Sequence, residues 1–141
     1  MQNQKTPKKK LKINYREDIV QIQIVRDLRK KGFLFTSQGA GLIKSENTQK
    51  TANRLGYCKG SPDLIVWVKG GTLNIEVKRP ALMKYSAKSK RMIISEAEGS
   101  QTPSQKEFEA KIKTIPGHYY IVAKSVADVE EFIIKNKIIP C

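Results

Sequence analysis

"GSPDLIVWVKGGTLNIEVKRP", residues 60–80, contains two apolar runs joined by a glycine pair, with Asp63, Glu76 and Lys78 set among them. A two-residue loop at Gly70-Gly71 is the favoured reading, because both central positions of a type I′ turn take positive φ. Counting outward, Lys69 faces Thr72, Ile65 faces Glu76 and Asp63 faces Lys78. Opposed residues share a face of the sheet, and so do alternate residues of one strand. Asp63, Ile65, Trp67, Asn74, Glu76 and Lys78 therefore fall on one side, and Leu64, Val66, Val68, Leu73, Ile75 and Val77 on the other. A one-residue slip would mix charged and apolar groups on both faces, so the pattern selects its register. A longer loop around Lys69 would shift that register, and a bulge would then have to recover the shared face.

In this register Asp63 and Glu76 are diagonal neighbours and Lys78 stands opposite Asp63. Two carboxylates that close are unfavourable unless a cation or a proton compensates them. Two arrangements meet that need. One is a divalent cation shared by the carboxylates; the other is a salt-bridge cluster in which Lys78 serves both acids. Mg²⁺ or Mn²⁺ suits oxygen ligands, and Mg²⁺ is commonly held by one or two carboxylates together with substrate phosphate oxygens. Such a site fits metal-assisted phosphodiester hydrolysis, with Lys78 countering the charge that builds on the phosphoryl oxygens.

The rest of the chain favours an anionic partner. Its 141 residues are of single-domain size, and 27 Lys and Arg against 13 Asp and Glu leave a net charge of +14. Nucleic acid fits this basicity better than an anionic membrane, since no basic helix carries an aromatic-rich apolar face. No apolar run is long enough to span a bilayer and no secretory leader is evident, so an intracellular, cytoplasmic protein is expected. Cys58 and Cys141 lack the paired spacing of a zinc site, and His118 reads as a structural histidine.

Residues 1–12, "MQNQKTPKKKLK", read as a disordered basic arm, and 13–141 as one domain. A helix is expected from Asn14, as N-cap, to about Lys31, with Gly32 as terminator. Val20, Ile24, Val25 and Leu28 form its apolar stripe, with Glu17 and Gln21 inside the stripe and Ile19 and Ile22 on the opposite side. "FLFTS" (33–37) reads as a strand and "ENTQKTANRLG" (46–56) as a short helix. Residues 81–100 read as a long basic connection carrying Lys84, Lys88, Lys90 and Arg91. "TPSQKEFEAKIK" opens a helix with Thr102 as N-cap, Pro103 at the first helical position and Gln105 closing a capping box. A strand over 118–124 and a helix from Ser125 complete the chain. This order gives an α/β fold, a mixed sheet of about four strands flanked by helices.

Pro62, Asp63, Glu76 and Lys78 match the Pro-Asp, spacer, acid-x-Lys motif, and the chain resembles the PD-(D/E)xK nuclease superfamily. More narrowly it resembles the VRR-NUC family, through Glu17 and Gln21 on the first helix, "LGYCKGSPDL", "IEVK" and "TPSQ". The resemblance spans about residues 15–135. It implies a restriction-endonuclease-like core of αβββαβ order plus a C-terminal helix. It also implies Asp63, Glu76 and the Val77 carbonyl as ligands of Mg²⁺ or Mn²⁺, Lys78 as the catalytic lysine, Glu17 as an accessory acid and Gln105 near the site. Small members of the family are often phage-encoded, and the implied activity is DNA cleavage at branched structures such as Holliday junctions, by a homodimer. Arg54, Lys59, Lys84, Lys88, Lys90 and Arg91 are the expected DNA contacts. A junction-binding protein without catalysis, or a sequence-specific restriction-type nuclease, remain the alternatives.

Overall fold

A computed structural model of the chain describes residues 15–38 and 45–141. The expected basic arm and the capping residue Asn14 lie outside them. The element order is α1 (Tyr15–Lys30), β1 (Leu34–Ser37), α2 (Glu46–Arg54), β2 (Leu64–Val68), β3 (Gly71–Val77), β4 (Leu82–Ser86), β5 (Arg91–Glu96), α3 (Pro103–Ile112), β6 (His118–Ala123) and α4 (Val126–Lys135). The expected αβββαβ core and C-terminal helix are present, with α2 and the β4–β5 pair as additions.

Four strands form the central sheet in the order β1-β2-β3-β6, antiparallel except for the parallel pairing of β3 with β6. One sheet face is apolar throughout: Leu64, Val66, Val68, Leu73, Ile75 and Val77 are buried against Val20, Ile24 and Leu28 of α1 and Val129 of α4. Lys31 ties the two helices together, reaching Asp27 at 2.8 Å and Glu130 at 2.9 Å. On the other face, which carries Asn74 and Glu76, α3 lies over the β6 side, its Phe108 packing on Tyr120 at 6.5 Å between ring centroids and its Gln105 reaching Glu76, while Trp67 on β2 stays exposed. Polar groups are thus buried on that face beneath a helix that can hydrogen-bond to them.

The hairpin register differs from the expected one by two residues. Val68 pairs with Gly71, Trp67 with Thr72 and Leu64 with Ile75, so the loop is Lys69-Gly70 and only Gly70 takes positive φ. The type I′ turn is therefore absent. Gly71 is a glycine for another reason: the carbonyl of Gly117, at the entry to β6, fills the space its Cβ would need. Because the shift is an even number, both faces keep their membership and no bulge is required.

Residues 81–100 are not an open connection. Leu82–Ser86 and Arg91–Glu96 form a separate two-stranded sheet with a β-bulge beside Leu82, closed by a tip in which Lys90 takes φ 53°. On α1, Ile19 and Ile22 are about half exposed, so they form no second buried face within the chain. Gln21 is half-buried at the edge of the α1 stripe, where it lines a surface groove of about 510 Å³ with Asp18, Ile22, Val25, Arg26 and Arg29. Phe108, Ile112 and Ile115 follow a helical apolar spacing, but α3 ends at Ile112 and leaves Ile115 beyond it, 48% exposed.

Candidate active site

Asp63 ends the loop that leads into β2, and Glu76 and Lys78 lie at the far end of β3, so antiparallel pairing brings all three to one edge of the sheet. The two-residue shift sets Asp63 one step beyond the last ladder pair, across from Glu76 rather than diagonal to it. At this step the main-chain carbonyl of Asp63 is turned the other way, toward β1, where it accepts the Gln38 N–H at 3.0 Å. Its side chain serves β3 instead: Asp63 Oδ2 accepts the Val77 N–H at 2.7 Å. The N–H and C=O of one strand residue leave the same edge, so the Val77 carbonyl is directed toward Asp63 as well.

Glu76 is 1% exposed. Its Oε1 is 2.9 Å from Lys78 Nζ and accepts from Gln105 Nε2 at 2.5 Å. Its Oε2 is buried and has no hydrogen-bond partner among the described residues. A buried carboxylate oxygen in that condition is costly unless something positive meets it. Lys78 pairs with Glu76, whereas the partner of Asp63 is the Val77 amide. The cluster in which Lys78 satisfies both acids is therefore only half formed.

Gln105 does two things at once. Its carbonyl accepts the Thr102 N–H at 2.8 Å, completing the expected capping box at the start of α3, while its amide NH₂ holds Glu76. Glu17, in the first turn of α1, lies within electrostatic reach of Lys78 and Asp63, and the nearby Arg79 backbone N–H favours its charged form. The fold thus brings Glu17, Asp63, Glu76, Val77, Lys78 and Gln105 together from four separate segments.

All three acids hold their protons more tightly than usual. Burial, reinforced by the Asp63 carboxylate, pushes Glu76 up to about 7 against the pull of Lys78. Burial also raises Asp63, against the Val77 amide and Lys78. It raises Glu17 too, with Lys78 opposing and Asp63 adding to the effect. Among the described residues no three His, Cys, Asp or Glu side chains are grouped as a metal cluster. The set that can hold a cation is two carboxylates and a main-chain carbonyl, with the unpartnered Glu76 Oε2 available to it.

The expected DNA contacts come from three separate segments. Arg54 ends α2, Lys59 lines a small groove with Ser104, Glu107 and Lys111, and Lys84, Lys88, Lys90 and Arg91 all lie on the β4–β5 pair. All six are exposed. Sequence reasoning missed Ser61, whose buried Oγ has no partner among the described residues, and Tyr120, whose phenol is raised by burial and then by Glu76. Ser61 lies within the quoted stretch, but nothing in its spacing distinguishes it from a loop serine. His118 is structural as expected, with Nδ1 2.7 Å from Thr72 Oγ1.

No protein-family profile matches the chain, and no curated protein matches it. Among solved structures it is similar to a VRR_NUC domain protein, at 23% identity and a TM-score of 0.56, over 89% of this chain and 91% of the other.

Proposed function

We propose that this chain, which shares the fold of a VRR_NUC domain protein, is a divalent-metal-dependent DNA endonuclease of the PD-(D/E)xK type, with branched DNA as its preferred substrate. The observation that carries the reading is the buried Glu76 with one oxygen unpartnered, facing a second acid beside a buried lysine. Asp63, Glu76 and the Val77 carbonyl would hold Mg²⁺ or Mn²⁺, with Glu17 on the α1 side. When bound, such an ion polarises the phosphate and lowers the pKa of a water. Lys78 supplies positive charge to the phosphoryl oxygens, and Gln105 keeps Glu76 aimed. The net charge of +14 favours the polyanion. The half-exposed Ile19 and Ile22 of α1 offer an apolar seat for a second copy, as a homodimeric junction resolvase needs.

A cleavage panel of linear, flap, splayed and four-way DNA with Mg²⁺, Mn²⁺ or chelator, run beside Lys78→Ala, tests this. Metal-dependent cutting of branched DNA that the variant lacks is the expected result. Binding of junctions with no cutting under any metal would leave a DNA-binding protein on a nuclease fold, and sharp cutting at one short sequence in linear duplex would leave a restriction-type enzyme.

The metal has a second signature. Glu76 titrates near 7 in the folded chain against 4.5 when unfolded, so between those values the native state binds more protons. In chelator, stability is expected to fall as pH rises through that window, by up to roughly 3 kcal/mol from this group. Saturating Mn²⁺ should raise the melting temperature by about 5–10 °C at pH 8 and by much less at pH 5. Equal shifts at both pH values, read by thermal melts, would remove the carboxylates from the binding site.

A further inference from the structure

The β4–β5 pair packs against no other helix or strand among the described residues. Its root is held by the Arg79–Glu96 ion pair. Met83 pairs with Ile94 and Tyr85 with Met92, so these four side chains share one face, and each is 51–63% exposed. The opposite face and the tip carry Lys84, Lys88, Lys90 and Arg91, with no acid between Leu82 and Ser95. A lone two-stranded hairpin is marginally stable in water, and one with a bare apolar face needs something to cover it.

Charge decides what covers it. A second copy seated on this face would have to be held against the mutual repulsion of two chains that each carry +14. Nucleic acid with unpaired bases offers the complement: phosphates for the cations, and flat apolar base faces for Tyr85, Met83, Met92 and Ile94. Aromatic side chains stack on unpaired bases with little regard for sequence, and Met and Ile serve as wedges between base steps.

We propose that the β4–β5 hairpin is a stacking arm that recognises unpaired or unstacked bases in DNA. This rests on DNA being the partner, but not on cleavage. The test therefore measures binding in chelator, by fluorescence anisotropy, to single-stranded, four-way and linear duplex DNA, with 2-aminopurine in the unpaired and junction positions. The wild-type chain should prefer single-stranded and four-way DNA to linear duplex, and quench or shift the 2-aminopurine signal. Tyr85→Ala/Met92→Ala should lose that preference by about tenfold while duplex affinity moves less than about twofold. Lys88→Ala/Lys90→Ala should instead weaken all three substrates together and flatten the salt dependence. Circular dichroism checks that both proteins fold. An unchanged preference in the Tyr85/Met92 variant, or no preference in the wild type, overturns the proposal. A wild-type dimer that this variant converts to monomer in sedimentation also overturns it, because a second copy then covers the face. Absence of cleavage with metal would sink the nuclease reading and leave this one standing.

Discussion

Asp63→Asn is expected to lower DNA cleavage on the order of 10³-fold while leaving the fold intact. The asparagine carbonyl can still accept the Val77 N–H that Asp63 Oδ2 accepts at 2.7 Å, so the loop entering β2 keeps its anchor. What disappears is one of the negative charges beside Glu76. Asp63 helps to push the Glu76 carboxyl up, so its removal lets that carboxyl ionise more easily and relieves the metal-free protein. The melting temperature in chelator at pH 8 should therefore hold or rise, and the Mn²⁺-induced increase should shrink. Cleavage at near wild-type rates would remove Asp63 from the site. A large fall in melting temperature would show instead that its charge serves the fold.

Gly60→Ala should be the most damaging of the small substitutions, at roughly 2–5 kcal/mol. Gly60 takes φ 86°, a left-handed conformation that costs an L-residue about 1–2 kcal/mol. The added Cβ would also meet the carbonyl of Ser104, which is backbone in the first turn of α3 and cannot swing aside. Overpacking of that kind adds about 1–3 kcal/mol. The clash pushes apart the loop that carries Asp63 and the helix that carries Gln105, so cleavage should fall further than the loss of folded protein explains. Chemical denaturation and cleavage per folded molecule separate the two effects. A stability change under about 0.5 kcal/mol would mean that this close approach is not maintained in solution.

The faces of the central hairpin were legible because alternation is a local property. Leu64, Val66, Leu73, Ile75 and Val77 are buried on one side, and Asp63, Glu76 and Lys78 meet on the other. Its register was not legible, because Gly71 answers to Gly117, far along the chain, rather than to its own turn. The caps of α3 and α4 were readable for the same local reason: Thr102 and Ser125 accept from Gln105 and Asp128 as expected. The β4–β5 hairpin was hidden because its apolar residues face solvent, which reads as a connection rather than as a strand face. Gln105 was readable both as a capping residue and as a neighbour of the site, and it is both because a primary amide has two ends and each takes one duty.

That double use of Gln105 ties the aim of Glu76 to the first turn of α3. Before α3 docks, as while a ribosome is still delivering residues 103–112, Glu76 has no brace from this side. On the proposed reading, the acid is aimed correctly only once α3 has been made and has docked, and a chain lacking α3 would hold it misaimed.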